Sequence, residues 1–331
     1  MVDMTTSYLG LELGSPIVAS CSPLTGRVES LLALQEAGVG AVVLPSLFQE
    51  EAEAEELEAA DLMATGDQFA EFASAPLPEI DVGDIGPARH IKLVRAARNA
   101  LGVPVLASVN GTRPGDWAHY AALLADAGAD AIELNLYSVN TDPSESSADV
   151  EQRYLAIIEK VRSQIEVPLA VKLSQHITGL SSFATRAAGA GADGLVLFNR
   201  FYGAEIDTDS LTMASRLALS HPDELRLPLR WIGILRAQLP DLSLAATSGV
   251  HSGLDALKAL LVGADVACTT SAVLNHGAGR VRTMLAELEA WLVEHDYESV
   301  RQLQGSMSAD NVPDPGEFER AQYMKVITSS L

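Results

Sequence analysis

Polar side chains that could do chemistry follow eight apolar segments, each with the length and composition of a buried strand. These residues are Ser20, Ser46, Asn110, Asn135, Lys172, Asn199, Ser248 and Thr270. Hydroxyls and carboxamides can hold a polar ligand by hydrogen bonds, and a lysine can supply a positive charge or an amine nucleophile. Because all eight come at the same end of a predicted strand, they indicate one shared site.

Two loops in the last third of the chain have the composition of a phosphate site. Residues 247–253 lead from a predicted strand into a helix, and residues 269–272 follow the last strand. Free backbone N–H groups at such junctions, with hydroxyls beside them, bind phosphate well. The alternative is that the glycines only permit tight turns. The residues predicted to hold the phosphate of a ligand or cofactor are Ser248, Gly249, Thr270 and Ser271.

Lys172 is the only basic residue among the eight strand ends. A lysine at the end of an apolar strand favours an anionic or electron-rich partner, because an unpaired buried ammonium is costly. It could hold negative charge on a reduced flavin ring, or it could form a Schiff base. A third interpretation is a lysine that extends to solvent.

The loop after the fourth predicted strand is rich in hydrogen-bonding groups. Asn135, Ser138 and Asn140 lie within six positions. Carboxamides both donate and accept, which suits a ligand with alternating imide groups. Taken alone, such a loop is typical of turns. Asn110 and Asn199 at other strand ends favour a binding site.

The elements that position these residues are predicted from a corner that recurs four times. A helical segment ends near a glycine and leads into an apolar strand at residues 36–44, 126–134, 189–197 and 261–269. Glycine adopts the left-handed cap conformation that such a corner needs. Strands buried on both faces and separated by helices lie parallel. We therefore predict an α/β fold, a closed (β/α)8 TIM barrel, with residues 1–331 as one domain.

Two additions to the barrel are predicted. Residues 5–16 read as a hairpin laid across the bottom of the barrel. An acidic stretch from Gln49 to about Asp81 reads as a helical insertion after the second barrel strand. It is interpreted as a solvated face, with a partner-docking arm as the alternative.

Charge and cysteine content exclude several classes of protein. The chain has 22 basic and 44 acidic residues, a net charge of -22, which repels nucleic acid and anionic membrane surfaces. Cys21 and Cys268 adjoin buried strands, which favours reduced thiols in a cytoplasmic protein. The chain lacks an apolar run of membrane-spanning length, and its start does not resemble a signal peptide. The histidines have no metal-ligand spacing, so no metal is predicted.

Several short motifs occur in the order and spacing of a known enzyme family. They are Pro16-Ile-Val-Ala-Ser20 with Pro23-Leu-Thr, Glu133-Leu-Asn-Leu136, Val171-Lys-Leu173, Leu197-Phe-Asn-Arg-Phe-Tyr202, Ser248-Gly249 and Ser271-Ala272. The chain resembles the flavin-dependent dihydroorotate dehydrogenases, specifically the soluble class 1 branch and its relatives. The resemblance extends from Tyr8 to about Ala290.

This resemblance implies FMN at the C-terminal end of the barrel. It implies that Lys172 contacts the flavin ring. The other positions that it implies for the cofactor are Ala19, Ser20, Asn110, Asn135, Ser248, Gly249, Thr270 and Ser271, with Asn110 a flavin or substrate contact. The substrate, a cyclic imide carboxylate, would be held by Asn135, Asn140 and Asn199.

The reaction implied is oxidation of a CH–CH bond next to a carbonyl, dihydroorotate to orotate in pyrimidine biosynthesis. Ser138 stands where class 1 enzymes carry a cysteine base, and serine is the base in the membrane-associated class. A hydroxyl needs a neighbouring group to relay its proton. Two departures concern the substrate: Pro45 replaces a family lysine, and the acidic stretch replaces an asparagine-bearing loop.

Two other functions compete with this one. The first is a catalytically silent FMN-binding scaffold, which the loss of the lysine at Pro45 favours. The second is a phosphosugar lyase or isomerase that uses Lys172 as a Schiff-base amine. The resemblance also implies a homodimer. The sequence leaves the electron acceptor open. Class 1 relatives use fumarate, or NAD through an iron–sulfur partner subunit, and two cysteines are too few for this chain to ligate a cluster itself.

Overall fold

The computed structural model describes residues 2–48, 87–110, 117–200, 203–214, 218–319 and 328. Twelve strands lie within these residues. They are β1 (Thr6–Tyr8), β2 (Leu11–Leu13), β3 (Ile17–Ala19), β4 (Ala41–Phe48), β5 (Val105–Asn110), β6 (Ala131–Leu136), β7 (Leu169–Leu173), β8 (Gly194–Leu197), β9 (Glu205–Asp207), β10 (Thr212–Ala214), β11 (Ser243–Ala246) and β12 (Val266–Thr269).

Helices alternate with the barrel strands along the chain. The α-helices in the described ranges are α1 (Val28–Glu36), α2 (Pro87–Ala100), α3 (Trp117–Asp126), α4 (Ser147–Arg162), α5 (Leu180–Gly189), α6 (Arg226–Gln238), α7 (Gly253–Val262), α8 (Ser271–His276), α9 (Gly279–Glu294), α10 (Val300–Leu303) and α11 (Gly316–Glu319). Short 3₁₀ turns at Pro23–Gly26 and Pro222–Leu225 precede α1 and α6.

Eight parallel strands close into a barrel in the order β3-β4-β5-β6-β7-β8-β11-β12. Closure joins the last strand to the first: Ala267 pairs with Ile17, and the Ala267 N–H donates to the Pro16 carbonyl at 2.8 Å. The predicted (β/α)8 barrel is therefore confirmed. The predicted N-terminal hairpin is confirmed as β1 and β2, which pair antiparallel. The predicted acidic insertion lies outside the described residues.

The bottom of the barrel interior is filled by the hairpin. Tyr8, Leu9 and Leu13 pack in one cluster with inward-facing residues of the barrel strands. Several of those strand residues are small: Ala41, Ala131, Ala170 and Ala245. Small side chains at this level leave room for the hairpin, so the apolar core of the barrel lies at its N-terminal end.

An arginine–aspartate pair recurs at three of the predicted corners. The pairs are Arg98–Asp130 at 2.8 Å, Arg162–Asp193 at 3.0 Å and Arg236–Asp265 at 2.8 Å. Each carboxylate also accepts a backbone N–H from the neighbouring strand, at Val105, Leu169 and Leu244 respectively. These corners lie at the N-terminal ends of the strands, the face of such barrels that serves stability. Their aspartates are therefore structural.

None of the helices that the structure describes combines the length and apolarity needed to cross a bilayer.

Candidate active site at the barrel mouth

The inward-facing side chains change from apolar to polar toward the C-terminal ends of the strands, here called the mouth. Successive inward residues on a strand are two apart. On β6 they are Ala131, Glu133 and Asn135, and on β7 Ala170 is followed by Lys172. We call Ser46, Ser108, Glu133, Asn135 and Lys172 the polar layer. All except Ser46 are buried, so the sequence places charged and polar groups inside the barrel.

The strands extend further than the sequence predicts. Ser46, Asn110, Asn135 and Lys172 lie inside strands rather than after them, because β4 to β7 continue to Phe48, Asn110, Leu136 and Leu173. The prediction placed each of these four residues just beyond the end of its strand. These strand ends are wrong because a barrel interior accepts polar side chains that bind one another.

Lys172 forms an ion pair with Glu133 inside the barrel. The Lys172 Nζ lies 3.4 Å from the Glu133 Oε1, and the two side chains are 11% and 1% exposed. Burial by itself lowers the pKa of Lys172, but the Glu133 carboxylate raises it, and the pKa lies above its ordinary value overall. The lysine is thus held as an ammonium ion.

Glu133 was not assigned a role by the sequence analysis. The available signal was a charged residue in the middle of the apolar strand Ala131-Ile-Glu-Leu134. A carboxylate at such a position must find a buried partner, and the only residue type that suits it at the strand ends is the lysine. The pairing across β6 and β7 was missed because it depends on strand register.

Two further titratable groups share this part of the barrel. Burial and then Glu133 raise the pKa of the Cys268 thiol to about 12, against a smaller opposing effect of Lys172. Burial, Cys268, Glu133 and Asp265 raise the pKa of the Tyr8 hydroxyl well above its ordinary value. Both groups are neutral at physiological pH, so the Glu133–Lys172 pair has neutral surroundings on this side.

A chain of hydrogen bonds links the polar-layer residues of β4, β5 and β6. The Ser46 and Ser108 hydroxyl oxygens are 2.8 Å apart, and the Asn135 Nδ2 donates to Ser108 Oγ at 2.8 Å. Asn135 Nδ2 also lies 3.4 Å from Ser46 Oγ and 3.3 Å from the Val109 carbonyl oxygen. Strand register causes this alignment, since Ser46 pairs with Ser108 and Asn110 with Asn135. Predicted site residues Asn110 and Asn135 are therefore neighbours.

Pro45 lies where β4 can accommodate a residue without an N–H. The pairing of β4 with β5 shifts register between Val43 and Ser46, and β3 pairs with β4 only as far as Val42. Proline is tolerated at such irregular, half-paired positions. The next residue, Ser46, contributes an uncharged hydroxyl to the polar layer.

Asn199 adjoins Lys172 through the backbone. Its Nδ2 donates to the Lys172 carbonyl oxygen at 3.3 Å, and its N–H donates to the Leu173 carbonyl. The structure therefore brings three predicted residues, Asn135, Lys172 and Asn199, to adjacent strands of the mouth.

Ser138 and Asn140 belong to a separate pocket beside the mouth. An open cavity of about 780 Å³ is lined by the loop after β6 and the start of α4, including both residues and Arg153. Ser138 Oγ donates to Asn140 Oδ1 at 3.0 Å and lies 2.6 Å from the hydroxyl oxygen of the buried Tyr154. Asn135 does not line this cavity. The predicted base is thus grouped with Tyr154, a partner that the sequence analysis missed.

Arg153 supplies the positive charge of this pocket. Its Nη2 donates to Asn140 Oδ1 at 2.8 Å, and its Nη1 pairs with the Glu145 carboxylate. The carboxamide oxygen of Asn140 therefore accepts from both Ser138 and Arg153. Its Nδ2 group is the part left to bind a ligand.

The turn after β11 has the conformation expected of a tight junction. Ser248 and Gly249 have φ angles of 71° and 78°. A Cβ on Gly249 would lie 2.4 Å from the Leu225 backbone nitrogen, and one on Gly253 would lie 2.3 Å from the Met284 carbonyl oxygen. Packing alone accounts for both glycines, so they are not themselves evidence of a phosphate.

Carboxylates already occupy the N-terminus of α7. Asp255 accepts the N–H groups of His251 at 3.2 Å and Ser252 at 2.9 Å, and Glu287 accepts that of Gly253 at 2.6 Å. A phosphate at this end of the barrel would therefore use the turn at residues 248–250 and the start of α8.

Ser220 links the two loops predicted to bind phosphate. Its N–H donates to Ser271 Oγ at 2.9 Å, and its hydroxyl oxygen lies 3.0 Å from the His251 Nε2. Burial lowers the pKa of His251, which Asp255 partly offsets. The sequence analysis missed Ser220 because it lies in an irregular segment far along the chain from either loop.

Ala19 and Ser20 lie next to the same group of loops. Both are buried, and the Ser20 N–H donates to the Thr269 carbonyl oxygen at 3.1 Å. Thr270 and Ser271 follow directly. Barrel closure thus brings residues from the first and last strands of the barrel together at one side of the mouth.

A (β/α)8 barrel with a buried lysine and carboxamides collected at its mouth has the architecture of barrel enzymes. The sequence profile described as dihydroorotate dehydrogenase matches residues 85–292. This match covers more than half of the chain, which therefore belongs to the dihydroorotate dehydrogenase family.

Curated relatives extend the likeness over nearly the whole chain. The catalytic subunit of dihydroorotate dehydrogenase B (NAD(+)) from Desulforudis audaxviator is 28% identical over 317 residues, covering 92% of this chain and 97% of the relative. The corresponding subunit from Endomicrobium trichonymphae is 24% identical over 324 residues, covering 92% and 97%. The NAD-dependent dihydropyrimidine dehydrogenase subunit PreA of Escherichia coli is 23% identical over 331 residues, covering 94% and 78%.

These findings confirm the resemblance to the class 1 branch and the prediction of an oxidoreductase acting on CH–CH groups. In the parts of the chain that the structure describes, no three histidine, cysteine, aspartate or glutamate residues are grouped to hold a metal ion.

Proposed function

We propose that this chain is an FMN-dependent dehydrogenase that oxidises dihydroorotate to orotate, or a related substrate, in cytoplasmic pyrimidine biosynthesis. The observation that carries the proposal is the buried Lys172 ammonium at the mouth of a barrel of this family. An ammonium fixed there still has N–H groups to donate to the polar edge of a ring that gains electrons on reduction. The carboxamides of Asn135 and Asn199 on neighbouring strands suit a cyclic imide.

The chemistry of the donor set fits FMN. Its phosphate would be held by Ser248, Gly249, Thr270 and Ser271, where hydroxyls and backbone N–H groups meet beside two strand ends. Ala19, Ser20, Asn110 and Asn135 would line the rest of the cofactor. When bound, FMN supplies the hydride acceptor.

The chain's own residues would orient the substrate and move its proton. Asn135, Asn140 and Asn199 would bind the imide, and Ser138 would take the proton at Oγ. For this the Ser138 O–H would turn from Asn140 to the Tyr154 hydroxyl oxygen, 2.6 Å away, and Tyr154 would release its own hydroxyl proton to solvent, so that one proton enters the pair and one leaves it. Such a relay supplies what an isolated hydroxyl lacks as a base.

A visible absorption spectrum followed by a substrate titration tests the proposal. The purified protein is expected to be yellow, and anaerobic dihydroorotate is expected to bleach it. Protein that is colourless as purified, and that retains no colour once unbound FMN has been removed after incubation, would contradict FMN binding. Colour without bleaching by any dihydropyrimidine would support the silent scaffold instead.

A second candidate substrate is a neutral dihydropyrimidine that lacks the carboxylate. Three basic side chains described near the mouth each have an acidic partner: Lys172 with Glu133, Arg153 with Glu145 and Arg200 with Glu224. Pro45 adds no charge, and residues 49–86 contain no lysine or arginine. The Escherichia coli relative is named as a dihydropyrimidine dehydrogenase subunit.

Parallel titrations separate the two substrates. Dihydroorotate and dihydrouracil are added anaerobically to equal amounts of the flavin-loaded protein, and the rates of bleaching are compared at matched concentrations. Faster bleaching by dihydrouracil would favour the neutral substrate. The opposite order would favour dihydroorotate.

The Schiff-base function is disfavoured by the environment of Lys172. A nucleophilic lysine needs a neutral amine with a lowered pKa. Here the Glu133 carboxylate more than offsets burial and raises the pKa of Lys172. Trapping of a phosphorylated carbonyl compound by borohydride would reverse this conclusion.

Assembly and electron transfer belong to the same proposal. We propose one domain over residues 1–331, a homodimer, and either fumarate or NAD through a partner subunit as the electron acceptor. Two relatives named as catalytic subunits of NAD enzymes support a partner. Light scattering after gel filtration measures the oligomer, and reoxidation assays with fumarate, with and without candidate partners, identify the acceptor.

A further inference from the structure

We infer that Glu133 is a positioning residue whose buried carboxylate holds the Lys172 ammonium in the polar layer and cancels its charge. In the flavin-loaded protein, this cancellation would make the site less favourable for an anionic reduced ring than a lone lysine would. The effect on the flavin rests on the proposed function, whereas the pairing of Glu133 with Lys172 does not.

Strand register determines how the two side chains meet. Asn135 pairs with Lys172 across β6 and β7, and Glu133 pairs with Ala170. Glu133 is therefore one inward position closer to the bottom of the barrel than Lys172. The ammonium must lie back into the barrel to reach the carboxylate at 3.4 Å. Glu133 thus determines where along the barrel axis the charge sits.

Asn135, which pairs with Lys172 across the two strands, does not bind the Lys172 ammonium. Asn135 donates from its Nδ2 to Ser108 and Val109 on β5. Asn199 binds the carbonyl of Lys172 rather than its amine. The charged partner of Lys172 is Glu133, whose carboxylate has the largest raising effect on the lysine pKa. Cys268 and the nearby Tyr8 are neutral, as described above.

Removing one member of a buried pair leaves the other uncompensated. In Glu133→Gln the amide has nearly the same shape and keeps an acceptor oxygen, but it carries no charge. Burial would then act on Lys172 without its counterion. The ammonium should lose its proton more readily, and in the flavin-loaded protein it should act as an uncancelled cation wherever it stays protonated.

The first experiment needs no flavin. The chain contains five lysines, so lysine side-chain NMR of labelled apoprotein is simple to assign, with Lys172→Arg identifying the Lys172 signal. Glu133→Gln is expected to raise the proton dissociation constant of Lys172 at least tenfold. Glu12→Gln, an exposed carboxylate paired with Arg301, should leave it unchanged. An unchanged constant in Glu133→Gln would overturn the inference.

The second experiment measures the flavin midpoint potential at a pH where NMR shows Lys172 protonated in both proteins. Glu133→Gln is expected to shift the ratio of reduced to oxidised flavin at least tenfold toward reduced, which is about 30 mV for a two-electron couple. Glu133→Asp keeps the negative charge, so its midpoint potential should lie close to that of the unmodified protein. An unchanged or lower potential in Glu133→Gln would contradict the charge-cancelling role.

The double variant Glu133→Gln/Lys172→Met covers the case in which Glu133→Gln alone fails to fold. With both charges removed, the barrel should be more stable to urea than with Glu133→Gln alone, because no unpaired charge remains. Equal stability of the double and single variants would contradict the pairing. A protein that binds no FMN would refute the proposed function and leave the lysine titration valid.

Discussion

At the scale of single residues, the environment of a side chain decides whether it can act. The Ser138 hydroxyl donates a hydrogen bond to Asn140 Oδ1 and lies next to the Tyr154 hydroxyl. A serine held beside a second hydroxyl can transfer a proton to that hydroxyl. A loop serine surrounded by water has no such fixed proton acceptor. The assignment of Ser138 as base is therefore testable through both partners.

Ser138→Ala is expected to lower the rate of anaerobic flavin reduction by about 10²–10⁴-fold, the usual contribution of a general base. FMN content should not change, because Ser138 lines the separate pocket beside the mouth and lies outside the loops predicted to bind phosphate. Stopped-flow absorbance measures the rate. A rate within twofold of the unmodified protein would argue against a catalytic role.

Tyr154→Phe tests the relay separately. Loss of the hydroxyl should slow flavin reduction without abolishing it and change its pH dependence, since Ser138 keeps Asn140 as a partner. Val139→Ala, an exposed residue of the same loop, serves as the control. An unaltered pH profile in Tyr154→Phe would exclude the relay.

The two cysteines should differ in reactivity. Cys268 is buried, and burial and Glu133 raise its pKa to about 12, whereas Cys21 is partly exposed. Because the thiolate is the nucleophile, iodoacetamide at pH 8 should label Cys21 and spare Cys268 in the native protein. Mass spectrometry of peptides measures this, with urea-unfolded protein as the control. Equal labelling in the native state would contradict a closed barrel interior.

At the scale of elements, the corners between helices and strands secure the barrel. Arg236 binds the carbonyls of Gly263 and Pro240 and the carboxylate of Asp265, and is 17% exposed. Asp265 in turn accepts the N–H of Leu244. One side chain therefore joins α6 to β11 and β12.

Arg236→Met is expected to lower the free energy of unfolding by about 3–5 kcal/mol, since it leaves a partly buried carboxylate unpaired. Arg226→Met is the matched control: Arg226 pairs with Asp223 but is 81% exposed, and exposed pairs contribute only about 0–1 kcal/mol. Urea unfolding measures both. Equal effects would show that the corner is unimportant.

The turn from β11 to α7 depends on a glycine. Gly249→Ala introduces a Cβ at a φ of 78° and close to the Leu225 backbone, so we expect a loss of at least about 1–2 kcal/mol in stability. Gly189→Ala is the control, because the last residue of α5 has open space around it and alanine favours the helix. Thermal unfolding measures both. A neutral Gly249→Ala would mean that the turn can rearrange.

At the scale of the whole molecule, closure makes the barrel one unit. The last strand pairs with the first through Ala267 and Ile17, and the N-terminal hairpin packs under strands from all around the ring. Neither half can satisfy its edge strands alone.

Unfolding should therefore be cooperative. A single calorimetric transition, with equal calorimetric and van't Hoff enthalpies, is expected for the whole chain. Tyr8→Ala should lower the midpoint of that one transition, since it removes a buried aromatic side chain, which typically costs about 3–5 kcal/mol. Two separate transitions would contradict the single-domain proposal.

Much of this architecture was predictable from local patterns. Apolar runs such as Ala131-Ile132 and the glycine corners report on buried strands and turns, which depend on neighbours in sequence. For this reason the four predicted corners fall where α1, α3, α5 and α7 lead into β4, β6, β8 and β12. The polar strand ends were also recognisable, because a barrel places all of them at one mouth.

The sequence by itself determined the alternation of strand and helix, the hairpin and the residues available to the mouth. Only the tertiary structure decided their partners: Glu133 with Lys172, Ser138 with Tyr154, and Ser220 with both His251 and Ser271. The physical reason is range. Burial and turn conformation follow from nearby residues, whereas hydrogen bonds and ion pairs depend on register and closure between segments far apart in the chain.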